Sequence, residues 1–193
     1  MLLSAACLLC QCARRSELKP AAGTPVDSAD PATAVARSSG VAVEVSANLW
    51  NGNPENLTDA LLPLFVSVKN LSGETLWISY ADCAVVGDSG ARYPALELNS
   101  MNRSVKGQRT AISRDRAGDS NVTLRTVSIP LPTAEMREQA FPQGVVRNGG
   151  REEGFLYFDD ATKVETRFSF GVVLRGEDRE PRLVMMIPFV TGR

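Results

Sequence analysis

Apolar and polar residues alternate along most of the chain after residue 40, and this alternation limits the folds that are open to it. The longest run places an apolar residue or threonine at every second position: Val164, Thr166, Phe168, Phe170, Val172 and Leu174. A period of two is typical of a β-strand that buries one of its faces. Shorter runs of the same kind end at Gly, Asn, Asp or Pro, so the pattern predicts about eight or nine strands within residues 41–193.

A helix is predicted at one place only. Thr133–Ala140 begins with a residue suited to capping a helix, carries Glu135 in its first turn and is followed by Pro142 and Gly144. No strand–helix–strand alternation accompanies it. The sequence therefore predicts an all-β fold, an antiparallel β-sandwich with one short helix, with a small closed barrel as the alternative.

Residues 99–121 interrupt the alternation with a long polar stretch. Five basic residues, among them Arg103, Lys106 and Arg109, stand there against two acidic ones. The stretch predicts a long polar loop. A mobile, solvated loop is the favoured interpretation, and a basic loop that binds phosphate, an acidic glycan or an acidic protein is the alternative. No aromatic residue lies between the charges, and the formal net charge of the chain is −1, so nucleic acid is not an expected partner.

The first twelve residues, MLLSAACLLCQC, are apolar and small, and they are too few to span a bilayer, which takes about twenty residues. They resemble the end of the apolar region of a secretory signal. The positively charged region that precedes such a segment is missing, so either the start codon lies further upstream or the stretch has another role. Three cysteines without histidine make a poor zinc site.

A bacterial lipoprotein signal explains these cysteines better. Small residues precede Cys7, and Cys12 stands at the boundary between apolar and polar sequence, so both are candidates for lipid attachment. An ordinary cleaved signal is the alternative. Residues 13–40 are rich in Ala, Pro, Ser, Gly and charge, and show no apolar period. They are predicted to form a flexible linker between the signal segment of residues 1–12 and a domain of residues 41–193.

Two segments are apolar on both faces, Leu76–Ile78 and Phe155–Phe158. Such segments are typical of central strands whose outer face is covered by another part of the chain. The alternative is an exposed aromatic patch for a partner or a sugar ring, which makes Trp77 and Tyr157 candidates for a partner surface.

Catalytic and cofactor motifs are missing from the sequence. The chain contains no histidine, and Cys83, the only cysteine of the predicted domain, therefore has no histidine to activate it as a nucleophile. It is predicted to be a buried small apolar residue. No nucleotide-binding glycine pattern, nucleophile elbow or metalloprotease motif is present. We expect no catalytic residue, cofactor or metal.

Five motifs follow one another along the chain: PLFVSVKN (63–70), LWISY (76–80), DSGARYP (88–94), GFLYF (154–158) and IPF (187–189). In this order they resemble uncharacterised bacterial lipoproteins with an immunoglobulin-like extracytoplasmic domain. The likeness spans most of residues 41–190. It implies an immunoglobulin-like sandwich and an extracytoplasmic address, and it transfers no catalytic or ligand residue.

The expected function is therefore that of a non-enzymatic, membrane-tethered module of the bacterial cell envelope that binds an envelope protein or a glycan. A purely structural envelope domain is the first alternative, and a carboxylate-dependent hydrolase is the second. The sequence leaves the oligomeric state open.

Overall fold

The computed structural model describes residues 17–114 and 120–192. Within these ranges the chain forms thirteen β-strands and one short α-helix. The strands are β1 (Glu17–Pro20), β2 (Thr33–Ser38), β3 (Val41–Ser46), β4 (Leu61–Asn70), β5 (Leu76–Ile78), β6 (Cys83–Gly87), β7 (Arg92–Pro94), β8 (Arg103–Arg114), β9 (Ser120–Leu131), β10 (Gly144–Val146), β11 (Arg151–Asp159), β12 (Arg167–Arg175) and β13 (Pro181–Gly192), and the helix is α1 (Ala134–Glu138).

The strands form two larger sheets and one separate hairpin. The first sheet has the order β1-β13-β12-β5-β10, with β6 also paired to β12 and β7 paired to β6. The second sheet has the order β11-β4-β3-β2, and β8 pairs with β9 alone. Every pairing between these strands is antiparallel. The predicted all-β antiparallel sandwich with one short helix is confirmed.

The main hydrophobic core fills the space between the two sheets. The alternating residues of β12 and β13 point into it, as do those of β4 from the opposite sheet. Its largest fully buried members include Leu64, Leu156, Phe158, Phe170 and Phe189. The alternation read from the sequence is thus the alternation between core and surface.

A second, smaller core covers the outer face of β11 and β4. Phe155 and Tyr157 point away from the main core and pack against Trp50, with ring centroids 5.3 and 6.0 Å from the Trp50 ring. The hydroxyl of Tyr157 donates to the carbonyl oxygen of Met136 at 3.0 Å. The prediction that Tyr157 belongs to an exposed partner surface is therefore wrong, because α1, the base of the hairpin and the loop at Trp50 bury it.

The predicted flexible linker of residues 13–40 is also wrong over its described part. β1 pairs with β13 at the edge of the first sheet, and β2 pairs with β3 in the second. Leu18, Ala34 and Val35 are buried in these strands. Edge strands this short bury too few side chains to leave a visible period, and their backbone hydrogen bonds leave no trace in composition.

The predicted long polar loop of residues 99–121 is wrong over most of its described part, which contains β8 and the first two residues of β9. β8 and β9 pair in continuous register from Arg103 opposite Leu131 to Arg114 opposite Ser120. A two-stranded ribbon that joins neither sheet has no need for a continuous apolar face. Among the side chains of the ribbon that the structure describes, Val105 and Leu131 are buried in the second core and Ile129 packs against it.

Substituting Leu18→Ala tests whether β1 belongs to the fold. Leu18 is 3% exposed in the main core, so we expect its truncation to lower the free energy of unfolding by about 2 kcal/mol or more. Leu71, which is 58% exposed, provides the matched Leu71→Ala control with an effect within about 0.5 kcal/mol. Urea unfolding measures both, and equal stability of the two variants would contradict the placement of β1.

Candidate protein-binding face

The outward side of the first sheet carries a group of apolar residues among polar and charged ones. On β12 and β13 the residues that alternate with the core residues point outward, and β5, β6 and β10 extend the same side. We call this side the outer apolar face; its members are Trp77, Val86, Val145, Val173, Val184, Met186 and Pro188. Val173 lies opposite Val184 on this side, and Trp77 lies opposite Val145. Arg175, which is also opposite Trp77, stands between these two pairs.

The outer apolar face differs from the outward side of the second sheet. There the second core covers β11 and β4, and the ends of the strands carry ion pairs, with Arg151 3.0 Å from Glu153 and 3.4 Å from Glu44. On the first sheet, Val184 is 62%, Met186 50% and Val145 44% exposed. Within the described residues, the outer apolar face is the sheet surface that remains both apolar and uncovered.

A groove of about 620 Å³ lies at the β1 end of this face. Its apolar lining includes Val86, Met186 and Pro188, and Asp88 and Arg167 lie at its rim. Arg92 stands beside it, opposite Val86 in the pairing of β6 with β7. Neither Arg92 nor Arg167 forms an ion pair with any described residue, so both guanidinium groups are available to an acidic group from outside the domain.

At the other end of the face, Trp77 is half-buried and capped. The guanidinium carbon of Arg179 stands 3.3 Å from the centroid of the Trp77 ring, in cation–π geometry. Trp77 thus lies half-buried on the outward side of the first sheet, with Arg179 over one face of its ring, and its role in a partner surface stays a prediction.

Arg175 anchors this end of the face. Its guanidinium contacts Oδ1 of the buried Asp82 through Nε and Nη2, each at 2.8 Å. Burial raises the pKa of Asp82, but the hydrogen bonds from Arg175 and Ser79 outweigh burial and lower the pKa below its ordinary value. The pair therefore holds β12 and the turn before β6 together as an ionised unit.

Glu165 is a buried carboxylate beside Gly87 that sequence reasoning missed. The Ser89 hydroxyl and backbone N–H donate to it, and the Tyr93 hydroxyl donates at 3.5 Å. The pKa of Glu165 lies below its ordinary value of 4.5, first of all because of the Ser89 hydroxyl. A Cβ at Gly87 would meet its carboxyl carbon at 2.2 Å. No local pattern signals this contact, which joins residues 76 positions apart.

The basic candidates of the 99–121 stretch do not join Trp77. Arg103 pairs with Asp159 at the end of β11. Lys106 lies at a separate cleft beside Asn56, to which its carbonyl is hydrogen-bonded. Arg109 lies on β8 opposite Arg125, in a part of the hairpin whose side chains are not described.

Of the cysteines singled out in the sequence, Cys83 lies within the described residues, whereas Cys7 and Cys12 do not. Cys7 and Cys12 lie outside the described residues, so their proposed lipid attachment stays a prediction. Cys83 is buried, as predicted, and burial raises the pKa of its thiol to about 12. Among the described residues, no group of three or more His, Cys, Asp or Glu side chains is placed to hold a metal ion. No helix in residues 17–114 or 120–192 is long and apolar enough to cross a membrane.

Comparison with known proteins adds little to this description. No protein-family model matches the chain. No curated protein matches it either. A functionally unknown protein from Listeria monocytogenes EGD-e has a solved structure that aligns over 92% of this chain and 89% of its own, with 14% sequence identity and a TM-score of 0.40.

Substituting Glu165→Gln tests the buried carboxylate through the pH dependence of stability. Because the pKa of Glu165 is depressed in the folded state, its contribution is present above its ordinary value of 4.5 and is lost as the pH falls through the lower folded value. We expect the variant to be less stable than wild type at pH 7 and to lose less stability between about pH 5 and pH 3. Thermal unfolding at each pH measures this, with the exposed Glu177→Gln as control. Identical acid profiles for Glu165→Gln and wild type would contradict it.

Proposed function

We propose that this chain is a non-enzymatic, membrane-tethered module of the bacterial cell envelope that docks another protein on its outer apolar face. The observation that carries the proposal is the exposure of Val184, Met186 and Val145 on the outward side of one sheet. Contiguous apolar patches on a folded domain mark sites of association, because covering them removes apolar area from water.

The charges beside the groove indicate the chemistry of the partner. Arg92 and Arg167 lack an acidic partner within the described residues and flank an apolar lining. A guanidinium at the rim of an apolar contact is best satisfied by a carboxylate on the partner. We therefore infer a partner protein that presents apolar side chains together with Asp or Glu, and not a neutral glycan, on this face.

The capped Trp77 also favours a protein partner over a sugar on this face. Sugar rings stack on an open aromatic face, and Arg179 covers one face of this ring. Trp77 lies beside arginines, and both Trp and Arg are enriched in protein interfaces.

The envelope address rests on the sequence. Residues 1–12 are apolar and place small residues before Cys7, and Cys12 stands where the sequence turns polar. Acylation of either cysteine would anchor the domain to a membrane without a spanning helix.

Site-specific photo-crosslinking tests the docking face. We expect a photoreactive residue at position 186, which is 50% exposed on the face, to form a defined protein adduct in cells. The same photoreactive residue at position 164, a site that is 72% exposed and lies outside the face, should form no adduct. Replacing Arg92 and Arg167 together with Glu should reduce the adduct at position 186 about tenfold or more, because two favourable contacts become repulsive.

A purely structural domain gives the opposite result. It predicts equal, non-specific labelling at positions 186 and 164 and no effect of the two arginine changes. Either result would contradict the docking proposal.

Intact-mass measurement tests the anchor. When the protein is expressed in a bacterium, we expect cleavage immediately before Cys7 or Cys12 and the added mass of a diacyl or triacyl group. Cys7→Ala and Cys12→Ala, made separately, identify the acylated residue, since only one of them should abolish the added mass. An unmodified and uncleaved N-terminus would contradict the address, while leaving the docking face testable.

A further inference from the structure

A second concave site lies apart from the outer apolar face. Residues 51–56, the base of the β8–β9 hairpin and Glu135 of α1 enclose a cleft of about 630 Å³, which we call the asparagine cleft. Its size falls in the range of small-molecule sites, about 300–1,000 Å³. It uses no residue of the outer apolar face: its lining consists of Asn51, Gly52, Asn53, Pro54, Glu55, Asn56, Lys106, Gly107, Ile129 and Glu135.

Hydrogen bonds hold the wall of the cleft in place. The carbonyl of Asn53 accepts from the Thr133 hydroxyl at 2.9 Å, and its N–H donates to Glu135 at 2.7 Å. The Trp50 indole donates to the carbonyl of Pro54 at 2.9 Å. These bonds tie the loop to α1 and to the second core, so the wall is organised before any ligand arrives.

Two further contacts restrict the conformations that residues 51–56 can adopt. Asn56 donates to the carbonyl of Lys106 at 2.8 Å, which joins the loop to the hairpin. A Cβ at Gly52 would lie 2.7 Å from Oε1 of Glu135 and 2.8 Å from the Trp50 ring, so only glycine permits this approach. Trp50 therefore lies directly under the wall of the cleft.

The cleft offers two neutral amides, the Glu55 carboxylate and the Lys106 ammonium as polar side-chain groups. The side-chain amides of Asn51 and Asn53 are exposed and make no hydrogen bond to any residue in the described ranges. Each amide offers two donors and an acceptor. Glu55 adds an acceptor carboxylate, and Pro54 and Ile129 add apolar surface.

We propose that the asparagine cleft binds a saccharide. Adjacent hydroxyl groups each donate and accept a hydrogen bond, which matches neighbouring amides that do the same, and the apolar carbons of the ring match Pro54 and Ile129. The two carboxylates of Glu55 and Glu135 outnumber the single ammonium of Lys106 at the cleft, which disfavours a phosphate or another anion. The site is independent of the proposed docking of a protein, and it gives the module a second ligand class.

Calorimetric titration of the full chain with maltose, cellobiose and di-N-acetylchitobiose tests the proposal. We expect saturable binding of at least one disaccharide with a Kd of about 1 mM, and none of glycerol at the same concentration. The chain has two tryptophans, so Trp77→Phe leaves Trp50 as the sole indole, and its emission should change in parallel with the heat.

The double variant Asn51→Ala, Asn53→Ala assigns the binding to the cleft. We expect it to raise the Kd about tenfold or more, since two neutral hydrogen-bonding groups are lost. The exposed Asn102, which makes no hydrogen bond to a described residue and lies outside the cleft, supplies Asn102→Ala as the matched control with unchanged Kd. The backbone bonds of Asn53 survive its truncation, so an unchanged unfolding temperature verifies that the variant is folded.

Two results would overturn the saccharide site. One is the lack of saturable heat with all three disaccharides, and the other is binding that the double variant leaves unchanged. Arg92→Glu with Arg167→Glu should not alter saccharide binding, so failure of the docking face and failure of the cleft are separate results.

Discussion

The burial of both faces of the β4–β11 pair is the constraint on which the rest of the structure depends. Leu156 and Phe158 point into the space between the sheets, whereas Phe155 and Tyr157 point out of it. An outward aromatic pair exposed to water would be costly, and the chain covers it with Trp50, α1 and the base of the hairpin. The same cover positions residues 51–56, so the asparagine cleft is a by-product of closing the second core.

Much of the fold could be predicted from the sequence because one-sided burial has a period of two. The alternating residues of β4, β12 and β13 are core residues in the structure, and the single predicted helix exists at Ala134–Glu138. Cys83 is buried, as predicted. Strand order was beyond reach, because it depends on pairings between distant segments, such as β1 with β13, that no local window contains.

The wrong predictions share a physical cause, because local sequence composition carries no signal for backbone pairing or for contacts between distant residues. β1 and β2 join the sheets by hydrogen bonds and bury only a few residues, so their sequence resembles a linker. The polar composition of residues 99–121 is compatible with a ribbon that stands apart from both sheets. At the candidate sites, Trp77 was found from its apolar neighbours, whereas Glu165 and the amides of Asn51 and Asn53 gained their significance only through partners or surroundings distant in sequence.

The place of β1 at the edge of the first sheet sets how far the domain could stand from a bilayer. A linker that ran from Cys12 to Val41 would reach roughly 100 Å when fully extended, but β1 starts at Glu17, five residues after Cys12, and five residues reach at most about 17 Å. From Cys7 the reach is about 35 Å. A lipid on Cys12 would hold the β1 edge within about 17 Å of the headgroups, and a lipid on Cys7 would hold it within about 35 Å. The groove beside β1 would lie near the membrane in both cases. With either anchor, a protein docked at the groove would have to be one that comes within about 35 Å of the membrane surface.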